Sequence, residues 1–287
     1  MAENYYFLVA GLPEADFDAP RECPSFPDFA KLAKDHLLPS DVLLFQKIQL
    51  TIDIGNLAAL MERGDHLFTE GGLYEKEALQ EGLHDPHIFP PCMQQVIEAW
   101  QSDIPVFHNI TWEDQLNWLF YEAMEAVESR FLRKWFAFDV TFNNLLAVMS
   151  CSEFNIPIER RVTERIENIC TQAVITRNEA AEAIVNSSDP DFSLPPIFPL
   201  ASRVLSLDRS DLENFEKSMD RIRWDWLTEA VVHNYFDIDF ILAYGLKLKI
   251  MDRWKRLTPQ AGKERFEGLL HSFESSCQGV SMEEVIP

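Results

Sequence analysis

Glycine is scarce in this 287-residue sequence, with 10 residues, about half the usual ~7%. A chain with so little backbone freedom favours long regular elements over tight turns and Gly-rich loops. Basic side chains are also few: 25 Lys and Arg stand against 47 Asp and Glu, for a formal net charge of -22. No stretch reaches ~18 uncharged apolar residues, which excludes a polytopic membrane protein. No basic segment followed by an apolar run opens the chain, so no secretory signal is expected. The five cysteines, Cys23, Cys92, Cys151, Cys170 and Cys277, are odd in number and widely spaced, with no CxxC. That pattern predicts reduced thiols in a cytoplasmic protein, not a disulfide framework.

The charge excludes further classes. Nucleic-acid affinity comes mostly from Lys and Arg meeting phosphates, and a surface this acidic repels DNA, RNA and anionic headgroups. A basic protein surface is the partner that the charge favours. The alternative is that acidity only keeps the protein soluble. Hydrophobic residues make up 47% of the chain, enough for a sizeable core without metals or disulfides.

Familiar catalytic signatures are absent. Neither GxGxxG nor GxxxxGK[ST] occurs, nor GxSxG, HExxH or an EF-hand loop. His84-Asp85-Pro86-His87 is the densest histidine cluster. A metal there needs two more ligands, such as His66 and Cys92, and the spacing fits no known ligand pattern. Exposed loop histidines are the simpler reading, and no metal or cofactor is expected. Glu113, Glu122, Glu125 and Glu128 form a solvated helix face, because a di-metal site needs Glu-x-x-His pairs on facing helices. Asp237 and Asp239 lie beside His233 and Tyr235, and paired carboxylates near a histidine can do acid–base work. They also fall where a helix begins, where acidic groups cap amides and suit the dipole. Capping is the preferred reading, and the same holds for Asp139. Trp224 and Trp226 lie on different helix sides; core packing is the default reading, and the alternative is one exposed ring available to a partner.

Periodicity near 3.6 recurs and strand alternation is rare, so the fold is read as all-α. The apolar run of residues 5–10 is either a short extended segment or a helical turn. Ser25 caps a helix with Phe26, Phe29, Leu32, Ala33 and Leu37 on one face. A second helix starts at Pro39 and is expected to break at Thr51-Ile52-Asp53-Ile54-Gly55, with a short helix from Asn56 to Met61. Residues 73–83 are weakly helical, and another helix ends near Trp100. Thr111 and Asp114 form a near capping box before the stripe Leu116, Leu119, Phe120, Ala123, Met124 and Val127. Residues 135–149 belong to the interior. A long helix is expected from Pro157, a Pro-rich linker over 190–201, and a last helix from Thr258. Ser210 and Glu213 form a full capping box, and a largely apolar helix spans 239–254.

Two helices share a pattern one hundred positions apart. Trp135-Phe136-Ala137-Phe138-Asp139 corresponds to Tyr235-Phe236-Asp237-Ile238-Asp239, with Phe142 matching Leu242 and Leu146 matching Leu246. Asn56-Leu57-Ala58-Ala59-Leu60-Met61 echoes Asn144-Leu145-Leu146-Ala147-Val148-Met149. Together they suggest three related helical units, each centred on a buried helix opened by an acidic or amide residue. The units are placed at residues 1–70, 71–189 and 190–287, either separate or joined in one body.

These residues resemble known proteins. Tyr5-Tyr6-Phe7-Leu8-Val9-Ala10-Gly11-Leu12-Pro13 is similar to the start of an uncharacterised bacterial family usually encoded among V-type ATPase subunits. Tyr235-Phe236-Asp237-Ile238-Asp239-Phe240-Ile241-Leu242-Ala243-Tyr244 resembles the recurring aromatic-then-Leu-Ala-Tyr helix of the ATPase C subunit, called d in eukaryotes. Asn56-Leu57 and Asn144-Leu145 resemble its Asn-Leu helix motif, although Ala58 and Leu146 replace the usual basic residue. That resemblance implies a funnel of three helical units joining the central rotor axle to the membrane ring. It implies a non-catalytic coupling subunit in ion or proton transport. Its partners are the axle and ring subunits, and its place is cytoplasmic and peripheral at the inner face of the cell membrane. The alternatives are an assembly or regulatory factor of that complex, or an enzyme of unfamiliar type using Asp237, Asp239 and His233.

Overall fold

The computed structural model describes residues 5–18, 23–63, 68–108, 110–153, 199–257 and 263. Every regular element among them is helical. The elements are α1 (Tyr6–Ala10), α2 (Phe26–His36), α3 (Pro39–Arg63), α4 (Lys76–Gly82), a 3-10 turn (Pro86–Ile88), α5 (Pro91–Ser102), α6 (Trp112–Glu125), α7 (Arg130–Glu153), α8 (Pro199–Leu205), α9 (Leu212–Ala230) and α10 (Ile238–Arg256). The long helix expected from Pro157, most of the Pro-rich linker, the last helix from Thr258, His66, Cys170 and Cys277 fall outside the described residues.

Local chemistry sets the helix starts. The Ser25 hydroxyl accepts from the Asp28 N–H at 3.2 Å and donates to the Asp28 carboxylate at 2.6 Å. Thr111 does the same with Asp114, at 3.0 and 2.8 Å. Both satisfy a first-turn amide that has no partner inside the helix. At α9 the cap is Asp211 rather than Ser210: its carboxylate accepts from the N–H groups of Glu213 and Asn214. Two amides bonded to one charged acceptor outweigh the Ser210–Glu213 box that the spacing predicts.

Packing explains the other departures. The helix α3 runs unbroken through 51–55. Ile54 is buried, and the Thr51 hydroxyl donates back to the Ile48 carbonyl at 2.8 Å, so burial and a local bond offset the small β-branched penalty. Residues 6–10 form the helical turn α1, not an extended segment. Ala123 of the α6 stripe is exposed, while Leu116, Phe120 and Met124 are buried. The hundred-residue correspondence is not one of helix position. α7 begins before Trp135, whereas α10 begins after Tyr235, so Asp139 lies mid-helix and Asp239 in a first turn. Asn56 and Asn144 are alike in burial, yet each sits well inside its helix rather than opening it.

The helix α10 is buried on nearly every side and packs on α2, α3 and α9, bringing distant parts of the chain together. Its Tyr244 ring meets Phe29 at 5.0 Å, and its hydroxyl donates to the Pro13 carbonyl at 3.0 Å. Most buried apolar side chains join one core. A smaller core of Phe142, Leu145, Ala201, Val204, Met219 and Ile222 sits between the distal half of α7, α8 and the start of α9.

A row of polar side chains along α3 staples the following loop. Gln49 donates to the Gly71 and Gly72 carbonyls at 3.1 and 3.2 Å. Asp53 accepts from the Leu73 and Tyr74 N–H groups at 2.8 and 3.3 Å. Asn56 donates to the Thr69 carbonyl at 2.8 Å and accepts the Thr69 N–H at 2.9 Å. Gly71 takes a φ of 101°, and a Cβ on Gly72 would lie 2.1 Å from the Asp53 carboxylate. Only glycine suits both positions.

Burial pushes the Asp53 carboxyl up to about 6, against the pull of the two amides and of Lys249. The native state therefore holds this proton more tightly than the unfolded chain. The stabilisation is complete below the ordinary value of 3.8 and is lost as pH rises through about 6. Relative to Asp53→Asn, the wild-type protein should lose stability between about pH 4 and pH 6.5. Urea midpoints of both proteins across that range measure the difference.

Candidate functional site

The residues with the strongest sequence case for chemistry lie at the start of α10. The Asp237 carboxylate accepts from the Phe240 N–H at 3.2 Å, so Asp237 is the cap. Asp239 accepts from the Asn234 side chain at 3.2 Å. Burial raises its carboxyl from the ordinary value, with further pushes from the negative charges of Asp237 and Asp41. His233 is exposed. None of the three lines the grooves of about 600, 560 and 390 Å³ among the described residues. The turn assembles a cap and a crowded carboxylate.

The same turn supports an aromatic end-face. The Tyr5 N–H donates to the Phe236 carbonyl, and the Tyr5 hydroxyl bonds Asp41 and accepts the Leu38 N–H. This ties α1 to the 232–237 turn and to the α2–α3 junction. Tyr6 packs on Phe236 with ring centres 4.5 Å apart, and Tyr235 lies 6.5 Å from Phe236. Phe7 is 88% exposed and Tyr235 60%. Beside them, a groove of about 560 Å³ runs between residues 9–17 and α9–α10. Phe17, Trp224, Phe240, Tyr244 and Lys247 line it, and Val232 and Tyr235 belong to both groove and end-face. The Lys247 amine sits 5.0 Å from the centre of the Trp224 ring, and burial pushes it below its ordinary value.

An ion network, not foreseen from the sequence, lies where the two cores meet. Arg223 donates to Asp139 at 3.4 Å, to Asp220 at 3.3 Å and to Asn143 at 3.0 Å, and its guanidinium stacks 4.3 Å from the Phe142 ring. Tyr121 donates to Asp139 at 2.7 Å. Asp220 also accepts from Arg253 and from the Trp254 indole, each at 2.9 Å, and Arg253 reaches Glu216. The network joins α6, α7, α9 and α10. Asp139 is thus an ion-pair partner in mid-helix, not a cap. A recess of about 50 Å³ lies beside Tyr121, and the network's geometry is that of a brace between four helices. A signal was present in the sequence: Asp139 and Asn143 share an i, i+4 face, as do Glu216 and Asp220. Nothing in it paired those faces.

The remaining candidates fall into place singly. His84 and His87 are exposed, and Asp85 accepts from the His87 N–H, so that cluster forms a turn. Glu113, Glu122, Glu125 and Glu128 are exposed. Trp224 is buried, and Trp226 packs between Trp135 and Phe138 at 5.4 and 5.1 Å, so both rings follow the core-packing reading. Among the described residues, the exposed aromatics are Tyr6, Phe7, Tyr235 and Phe236. A second groove of about 600 Å³ by the stapled loop carries Lys31, Lys34 and Lys76 together with Glu70, Glu75 and Glu77, a mixed and water-facing lining.

The capping role of Asp237 has a measurable consequence. Asp237→Ala should cost about 1 kcal/mol of stability, read as a fall in the urea midpoint at unchanged slope.

No curated protein and no solved structure matches the chain. One family model matches residues 1–276, that of "Protein of unknown function (DUF2764)", and the chain belongs to that family.

Proposed function

We propose that this chain is a non-catalytic coupling subunit of a V-type ATPase, linking the central axle to the membrane ring. The observation that carries the reading is the ion network: a single arginine ties α7 to α9, and its partner Asp220 ties α9 to α10. A part that passes torque between two proteins needs helices that do not slide on each other. Three features support the same reading. Every regular element among the described residues is helical, none of Asp237, Asp239 and His233 lines the groove of about 560 Å³ beside them, and the -22 charge suits basic protein partners. The resemblance of the Tyr235–Tyr244 and Asn-Leu segments to the C subunit names the complex.

On this reading the protein is cytoplasmic and meets the inner face of the membrane only through protein contacts. No described helix is long and apolar enough to cross a membrane. Purification of the tagged protein from its own cells in mild detergent, with quantitative mass spectrometry, is the test. One copy per rotor alongside the catalytic subunits is expected. A substoichiometric amount indicates an assembly factor. Absence of ATPase subunits, under conditions that keep the complex whole, overturns the proposal.

A further inference from the structure

Large apolar side chains are exposed together at one end of the bundle. Tyr6 and Phe7 of α1, Leu38 at the α2–α3 junction, and Val232, Tyr235 and Phe236 before α10 all keep over a third of their surface in water. Hydrogen bonds hold these three segments against one another: Tyr5 N–H to Phe236, Tyr5 hydroxyl to Asp41, and Leu38 N–H to the Tyr5 hydroxyl. Scattered exposed apolar residues are normal, but a contiguous, pre-organised aromatic patch marks an interaction surface. The groove of about 560 Å³ opens from the same face, because Val232 and Tyr235 line it too. It offers a pocket for an anchoring side chain beside the flat aromatic area.

Charge selects the occupant. Asp41, Asp237 and Asp239 stand at this end, close enough for Asp41 and Asp237 to act on Asp239, and no Lys or Arg of the described residues pairs with any of them. A second copy brings the same carboxylates and a net charge of -22, so self-association is opposed. Residues 258–287 carry Glu264, Glu267, Glu274, Glu283 and Glu284 against Lys263 and Arg265, so they do not complement the face either. An anionic bilayer is repelled for the same reason.

We infer that the aromatic end-face formed by α1 and the 232–237 turn is a docking surface for a basic, apolar-faced helix of another protein. The partner's apolar side chains cover Tyr6, Phe7, Tyr235 and Phe236, one of them entering the groove, and its Lys and Arg meet Asp41 and Asp239. This goes beyond the ATPase reading and does not require it.

The test uses the full chain and Phe7→Ser/Tyr235→Ser, chosen because both side chains are exposed, so that the melting temperature stays unchanged. The probe is an amphipathic Lys/Leu helical peptide of about 18 residues, with a Glu/Leu peptide of equal length as control. The wild-type chain should bind the Lys/Leu peptide at least about tenfold more tightly than the double variant does, and should not bind the control. Phe7→p-benzoylphenylalanine, irradiated in cells, should cross-link to a net-positive segment of a different protein. Equal peptide binding by the two chains overturns the inference. So does cross-linking to residues 258–287 or to a second copy, or vesicle binding that the double variant loses. Cross-linking to a basic, apolar-faced segment of any other protein, inside or outside an ATPase, supports the docking surface; the coupling reading stands or falls on the purification alone.

Discussion

The Arg223 guanidinium is the constraint on which the bundle's arrangement depends. It lies at the seam between two hydrophobic cores, over the Phe142 ring of the smaller one. Its side chain is only 17% exposed, and that of Asp220 only 3%. A half-dry charge is tolerable only when paired and fully hydrogen-bonded. Asp139, Asp220 and Asn143 supply those partners from α7 and α9, and Arg253 and Trp254 of α10 complete the shell of Asp220. Hydrophobic burial alone allows helices to slide in small steps, because apolar contacts are non-directional. A forked donor meeting fixed acceptors allows one register.

The same logic recurs at smaller scale along α3. Gln49, Asp53 and Asn56 fix the 69–74 loop by side-chain bonds to its backbone. Lys249 of α10 reaches the Ile48 carbonyl from the other side, and burial pushes its amine down to about 8. A carboxyl held up near 6 and an amine held down near 8 mark an interior that charges are costly to enter. The outer end of the bundle is the opposite: aromatic rings remain in water, and Asp41, Asp237 and Asp239 pair with no Lys or Arg of the described residues.

Much of the fold was legible in the sequence. The 3.6 periodicity and the caps at Ser25 and Thr111 mark helices because those signals act within one turn. Asp237 is a cap for the same local reason. What stayed hidden depends on tertiary partners. Thr51 to Gly55 reads as a break by propensity, yet it continues a helix because Ile54 is buried there. Asp139 reads as a cap because apolar helices that resemble one another were aligned without their true starts. The aromatic end-face was equally hidden: residues 5–10 read only as a short apolar run, and only the folded chain shows which of those rings face outward.

The brace is tested most directly by a double-mutant cycle on Asp139 and Arg223, using Asp139→Ala and Arg223→Met read by urea unfolding. The two residues share one network, so a coupling of at least about 1 kcal/mol is predicted. Additive losses, with coupling within about 0.3 kcal/mol of zero, would contradict the claim that this ion network sets the register of the bundle.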